Sequence, residues 1–230
     1  MFPPKRKKLR QETQEEINYI YAHCPQEVAI KMLNDEEEFD LPSVDKLEKN
    51  IEETFKYIEG KPLELYKTFL KLTDKFNDLY KKYSPCKKGC SGCCKIAVQV
   101  SEMEKNIIKK YLEEKNELNK YIYIKIPQEP IIQDGIVGGN YTSTDCPFLE
   151  NNECKIYPVR PYKCRRYISI DDDCVSKFEK LPNKEIIHTV IHIYSEIYYE
   201  KIIMYYCYKK NIMYTLNDIR DIFEPITFFV

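Results

Sequence analysis

The sequence predicts a mainly α-helical protein whose loop-rich core is ordered by a cysteine-ligated metal, with at most one small β-hairpin. Three observations predict this class. Helix signals flank the middle of the chain, the middle is rich in turn-forming residues, and eight of the ten cysteines lie there in two clusters. A stretch as long as residues 141–184 without a sustained apolar period is unusual in a compact domain. We therefore expect a bound metal to order it.

Two helices are predicted immediately before the first cysteine cluster. Residues 43–60 have apolar side chains at helical spacing, and residues 62–84 begin with Pro62 and end before Pro85. The second helix carries an aromatic stripe typical of a surface that faces a core: Tyr66, Phe69, Leu70, Phe76, Tyr80 and Tyr83. We expect residues 1–84 to form an N-terminal helical extension.

A third helix and a hairpin are predicted between the two clusters. Ser101 and Glu104 have the spacing of a capping box, which begins a helix that runs to about Leu118. Residues 121–126 and 131–137 have the composition of two short strands. We expect these strands to pair with each other.

The C-terminal part of the chain is predicted to be helical. Residues 185–209 form a long helix with His188 and His192 on one polar face, and residues 215–223 begin a final helix at Thr215. Two histidines four residues apart can bind a metal, but we find no third ligand for them and favour a half-buried polar face. We expect residues 85–230 to form one cysteine-cluster domain.

Charge and compartment signals limit the functional classes. Lys and Arg total 36 and Asp and Glu total 37, so the balance favours neither nucleic acid nor an anionic membrane surface as a partner. The basic N-terminus has no apolar segment behind it, and the apolar stretch 186–208 is interrupted by charged residues. We therefore expect a cytoplasmic protein, in which clustered thiols bind metal more often than they form disulfides.

The first cluster has the pattern Cys86-x₃-Cys90-x₂-Cys93-Cys94. Thiolates are soft, strong ligands for zinc and for iron–sulfur clusters, and close loop spacing lets several sulfurs converge. The spacing of the first three cysteines also matches the motif of radical S-adenosylmethionine enzymes, but the repeated strand–helix units of that fold are missing. Because adjacent side chains diverge, we expect the two clusters to meet at Cys93 and Cys94.

The second cluster supplies four more candidate ligands. The predicted metal-binding residues are Cys86, Cys90, Cys93, Cys94, Cys146, Cys154, Cys164 and Cys174. Eight thiolates exceed the needs of one four-ligand centre. Two zinc sites, one [4Fe-4S] cluster with supporting cysteines, and a polynuclear cluster all remain open, with iron–sulfur slightly favoured.

The combined pattern, with Cys-Pro-Phe-Leu at 146–149 and Arg-Pro-x-x-Cys-Arg at 160–165, resembles the YkgJ-type cysteine-cluster family of zinc- or iron-chelating domains. The resemblance covers roughly residues 84–176 and implies metal binding. A longer relative, flagellin lysine N-methylase, carries a similar cysteine set and uses a [4Fe-4S] cluster with S-adenosylmethionine to methylate protein lysines. The resemblance therefore also raises methyl transfer as an alternative activity.

Three arginines, Arg160, Arg165 and Arg166, lie close to the second cluster in sequence. As cofactor-binding residues they would hold an anionic group, such as the carboxylate of S-adenosylmethionine, beside the metal. Alternatively, they donate hydrogen bonds to thiolates and loop carbonyls, and we favour this second interpretation. The functional classes left open are an enzyme acting on a protein substrate, a carrier with a metal-exchange partner, and a structural zinc module.

Overall fold

The structure is a computed structural model that describes residues 41–81, 84–87, 89–121, 130–131, 141–142, 145–169 and 193–223. Within these residues the protein is mainly α-helical and loop-rich, which confirms the predicted class. The helices are α1 (Leu41–Phe55), α2 (Pro62–Tyr80), α3 (Glu102–Glu114), α4 (Tyr162–Arg166) and α5 (Ile193–Lys210). None of the described helices is long and apolar enough to cross a membrane.

A helical core forms where α1, α2 and α5 pack together. Its buried residues are Ile51, Phe55, Tyr66, Phe69, Met103, Tyr162, Tyr198, Tyr199, Ile202, Ile203 and Cys207. Phe69 lies at its centre, 5.9 Å from the ring of Phe55 and 5.0 Å from that of Tyr162. The aromatic stripe of α2 is therefore a packing surface, as predicted. Cys207, which lies outside both cysteine clusters, is a small buried residue here.

A second core, the cluster core, lies beside the cysteines. Its buried residues are Ile96, Val98, Val100, Ile108, Leu112, Tyr121, Phe148, Ile156, Ile219 and Ile222. Cys93, Cys146, Cys154 and Cys164 pack against it. Helix α3 belongs to both cores, because Met103 faces the helical core while Ile108 and Leu112 face the cluster core. It therefore connects the helices to the cysteine loops.

The predicted capping box at the start of α3 is confirmed. The Glu104 N–H donates to Ser101 Oγ, and the Ser101 N–H donates to Glu104 Oε2 at 2.9 Å. The helix ends at Glu114, and a 3₁₀ turn at Leu118–Lys120 follows it. Helix α1 is already formed at Leu41, so Ser43 lies inside the helix and does not begin it.

The strands form three short antiparallel pairs. They are β1 (Gln99–Ser101) with β6 (Leu216–Asp218), β2 (Pro130–Ile131) with β3 (Tyr141–Thr142), and β4 (Leu149–Glu150) with β5 (Glu153–Cys154). The predicted pairing of residues 121–126 with 131–137 is wrong at the positions described. Ile131 pairs with Tyr141 instead, and Tyr121 lies in a turn.

The final helix predicted at residues 215–223 is also wrong. Val100 of β1 pairs with Asn217 of β6, and the Ile219 N–H continues the ladder by donating to the Val98 carbonyl at 2.8 Å. The side chain of Asp218 accepts the Arg220 N–H at 2.9 Å and so closes a turn, where the sequence pattern assigned it to a helix cap. Pairing with β1 overrides the local helix signal because it satisfies backbone groups next to the cluster core.

Contacts cross the boundary predicted at residue 84. The Asn77 amide on α2 donates to the Arg165 carbonyl on α4 at 2.8 Å. The division into an extension (1–84) and a domain (85–230) stays a prediction. Three candidate metal ligands considered above lie outside the described part of the chain: Cys174, His188 and His192.

Candidate metal centre

Two tight turns shape the first cysteine loop. The Cys90 N–H donates to the Lys87 carbonyl at 3.0 Å, and Gly89 within that turn has a φ of +88°, which a glycine adopts without strain. The Cys94 N–H then donates to the Ser91 carbonyl at 2.9 Å, where a 3₁₀ turn over Gly92–Lys95 begins. These turns hold Cys93 and Cys94 against the second cluster.

The second cluster is shaped by a hairpin that the sequence analysis missed. Strands β4 and β5 are joined by Asn151 and Asn152, whose φ angles are +52° and +61°. Two adjacent residues with positive φ are typical of a type I′ hairpin turn, and the Asn-Asn pair was the available signal. Because the hairpin folds back on itself, it brings Cys154 close to Cys146.

Helix α4 presents the third thiol of this cluster, Cys164. The helix is fixed from outside, because the Arg165 guanidinium donates to Asp74 of α2 at 2.8 Å. Lys163 and Arg166 both form ion pairs with Glu196 of α5. Residues from two other helices, α2 and α5, thus fix the position of Cys164.

Four thiols, Cys94, Cys146, Cys154 and Cys164, form what we call the four-thiol set. Every pair within it interacts electrostatically, so that ionising one thiol disfavours ionising the others. The Cys146 N–H also donates to the Cys94 carbonyl at 2.9 Å, which joins the two clusters through the backbone. The clusters therefore meet at Cys93–Cys94, where the sequence placed their junction.

Burial makes these thiols hard to ionise. It raises the pKa of Cys146 to about 12, and it also raises the pKa values of Cys154 and Cys164. Backbone N–H groups lower the pKa values of two of these thiols. The Phe148 N–H donates to Cys146, and the Ile156 N–H donates to Cys154. Such N–H···S hydrogen bonds orient thiolates and stabilise their charge in metal sites.

The remaining cysteines of the first loop lie to one side of this set. A hydrogen bond between Cys93 and Cys94 raises the pKa of Cys93 well above its usual value and lowers that of Cys94. Cys93 also interacts with Cys164 and Cys86, and Cys86 accepts the Ser169 N–H at 3.4 Å. No contact among the described residues ties Cys90 to these thiols.

The donor set fits a metal centre in its chemistry. Among the described residues, no group of three or more Cys, His, Asp or Glu side chains is arranged to hold a metal ion. The four thiols are thus neighbours that do not share one coordination sphere. Their soft donor atoms, burial and N–H···S bonds are nevertheless the features that thiolate-bound zinc or iron requires.

The three arginines predicted to bind a cofactor have different environments. Arg165 donates to Asp74 and to the carbonyls of Pro158 and Arg160, and Arg166 pairs with Glu196. The guanidinium of Arg160 stacks over Tyr157 at 4.2 Å, and its charge lowers the pKa values of thiols in the four-thiol set. The contacts of Arg165 and Arg166 support the structural interpretation.

Arg220 is a residue of the site that the sequence analysis missed. It is 3% exposed, and its guanidinium donates to the carbonyls of Cys94 and Ile96 at 3.0 and 3.1 Å. Its charge lowers the pKa values of Cys94 and Cys146. The only sequence signal was an arginine between the apolar residues Ile219 and Ile222.

Comparison with known families agrees with this geometry. Residues 85–185 match cysteine-cluster domains described as a "putative zinc- or iron-chelating domain". We call this matched segment the CxxCxxCC domain. The CxxCxxCC domain includes all eight clustered cysteines, and it confirms the resemblance seen in the sequence. Arg220 and helix α5 lie beyond its C-terminal end and yet contact it. No curated protein and no solved structure matches the chain.

Proposed function

We propose that the protein binds an iron–sulfur cluster through the four-thiol set. One observation carries the proposal: all four thiols interact pairwise, yet no three of the described ligand-type residues are arranged around a single ion. In a tetrahedral zinc site with Zn–S bonds of about 2.3 Å, the sulfurs stand only about 3.8 Å apart. Iron and sulfide ions inside a polynuclear cluster hold the cysteine sulfurs further apart, which suits thiols that interact pairwise without surrounding a single ion.

The charges around the set support the same proposal. Four thiolates around a metal centre with a charge of +2 leave a net negative charge, which must be compensated in a buried site. Arg160 and Arg220 supply positive charge next to the four-thiol set, and backbone N–H groups donate to Cys146 and Cys154. When bound, the cluster would supply redox or Lewis-acid chemistry, while these residues hold and neutralise it.

Anaerobic purification with iron, sulfide and zinc analysis tests this function. We expect a brown protein with about four iron and four sulfide ions per chain. Cys94→Ser should lose most of that iron, because Cys94 interacts with all three other thiols of the four-thiol set. Cys207→Ser is the matched control, since Cys207 is buried in the helical core and should leave the iron content unchanged. A colourless protein that contains only zinc would overturn the iron–sulfur proposal and establish zinc chelation.

Methyl transfer from S-adenosylmethionine is a second candidate, and one feature of Arg160 favours it. Arg160 Nε is buried and has no hydrogen-bond partner among the described residues, so this guanidinium retains capacity for an anionic group. The test is the electron paramagnetic resonance spectrum of the reduced cluster with and without S-adenosylmethionine. A changed spectrum in the wild type that is lost in Arg160→Met would support this activity, whereas an unchanged spectrum would exclude it.

A further inference from the structure

Glu104 is a buried carboxylate on α3 that lies between the helical core and the CxxCxxCC domain. It is 1% exposed, and its two oxygens accept five hydrogen bonds, all from neutral groups. The donors are Tyr66 Oη (2.5 Å), the Tyr162 N–H (2.9 Å), the Ser101 N–H (2.9 Å), Ser101 Oγ (2.7 Å) and Tyr199 Oη (2.7 Å). The carboxylate thus joins α2, α3, α4 and α5.

The two oxygens of Glu104 have different partners. Oε2 accepts from Ser101, which closes the capping box of its own helix, and from Tyr199 on α5. Oε1 accepts from Tyr66 on α2 and from the backbone N–H of Tyr162. The capping box uses only one oxygen, and such boxes also work at exposed helix ends. Burying a carboxylate costs free energy, so its full burial indicates a role beyond capping α3.

The bond to Tyr162 reaches the helix that carries Cys164. Tyr162 is the first residue of α4, and the residue before it, Pro161, provides no side-chain cap. Glu104 Oε1 therefore caps α4 from another part of the chain. The Tyr162 ring is fully buried and stacks on the Tyr199 ring, with 4.7 Å between the ring centroids. This end of α4 is therefore held through both the backbone and the side chain of Tyr162. Cys164 lies two residues further along the helix.

We propose that Glu104 is a positioning residue for metal binding, which sets the place of Cys164 by capping α4 through Oε1. This inference rests on the proposed function of the four-thiol set. A shift of α4 displaces one of four ligands, and changes to groups that orient metal ligands typically lower affinity by about 10- to 100-fold.

The Glu104→Gln variant tests the inference, because its amide NH₂ must face one of two backbone N–H groups that cannot accept a hydrogen bond. It meets either Tyr162 or Ser101. We expect the purified protein to release its metal to excess EDTA about tenfold faster or more. Adding Pro161→Asp supplies a local cap for α4 and should return the rate to within about threefold of the wild type.

Tyr199→Phe is the matched control, since it removes a donor to Oε2 and leaves the bond from Tyr162 to Oε1 in place. It should lower the melting temperature while the release rate stays within about twofold. Equal release rates for Glu104→Gln and the wild type, or equally fast release by Tyr199→Phe, would overturn the inference. Hydrogen exchange of the Tyr162 amide in the wild type is a further test that needs no variant. Exchange as fast as that of an exposed amide would also overturn the inference. A wild type without metal would instead refute the proposed function.

Discussion

Arg220 offers the sharpest prediction about how the end of the described chain supports the first cysteine loop. Its guanidinium donates to the carbonyls of Cys94 and Ile96 and pairs with Asp218 Oδ1 at 3.1 Å, while the Asp218 side chain is 14% exposed. Replacing Arg220 with Met keeps much of the side-chain length but removes the charge and every donor. Two buried carbonyls then lose a partner, and Asp218 loses its counter-charge.

The expected loss of stability follows from these contacts. Each hydrogen bond from a charged group contributes about 1.5–3 kcal/mol, and breaking a buried ion pair costs about 3–5 kcal/mol. These contributions overlap because they share one guanidinium, so they do not add. We expect Arg220→Met to lower the free energy of unfolding by about 3–5 kcal/mol. For a chain of this length, that corresponds to a melting temperature lower by roughly 6–20 °C.

The assay is urea and thermal unfolding of wild type and variants at equal metal loading. Arg220→Lys keeps the charge but not the forked geometry of the guanidinium. Its free energy of unfolding should therefore lie between those of the wild type and Arg220→Met. Adding Asp218→Asn to Arg220→Met should recover part of the loss, because the unpaired charge is removed. A loss below about 1 kcal/mol for Arg220→Met would show that these contacts do not hold the loop, and would refute the reasoning.

Three further predictions concern the helical core, the missed hairpin and the predicted domain boundary. Phe69→Ala should cost about 3–5 kcal/mol in urea unfolding, because a fully buried ring in contact with Tyr162 is lost; a cost below about 1 kcal/mol would contradict the packing. Asn152→Ala should cost about 1 kcal/mol, since alanine tolerates positive φ poorly, and Asn152→Gly is the control that should cost less. A fragment of residues 85–230 should retain less iron than the full chain, because it loses the α2 contacts to α4; equal iron content would contradict their importance.

Local signals predicted the helices and the cysteine clusters well. The aromatic stripe of α2 and the capping box of α3 each depend on residues a few positions apart, so the sequence contains the whole signal. The error near the C-terminal end of the described chain arose where a local signal competes with a distant partner. Residues 215–218 look like a helix start until β1 is available to pair with them.

The candidate site shows the same division between local and distant information. The sequence supplied the ligand types and the junction at Cys93–Cys94. It did not indicate that Cys94 joins Cys146, Cys154 and Cys164, or that Arg220 lies 126 positions from the carbonyl it contacts. Such groupings depend on tertiary contacts between segments that are far apart in the sequence. The local pattern of one segment does not indicate which other segment it contacts.

The amino-acid sequence by itself determined that this chain is helical, that it holds a CxxCxxCC domain, and that its thiols are suited to zinc or iron. These properties follow from residue types and short spacings. Only the tertiary structure decided which thiols become neighbours, and that Glu104 and Arg220 serve the cysteine loops from elsewhere in the chain. The physical reason is that a buried charge must find its hydrogen-bond partners wherever the fold brings them.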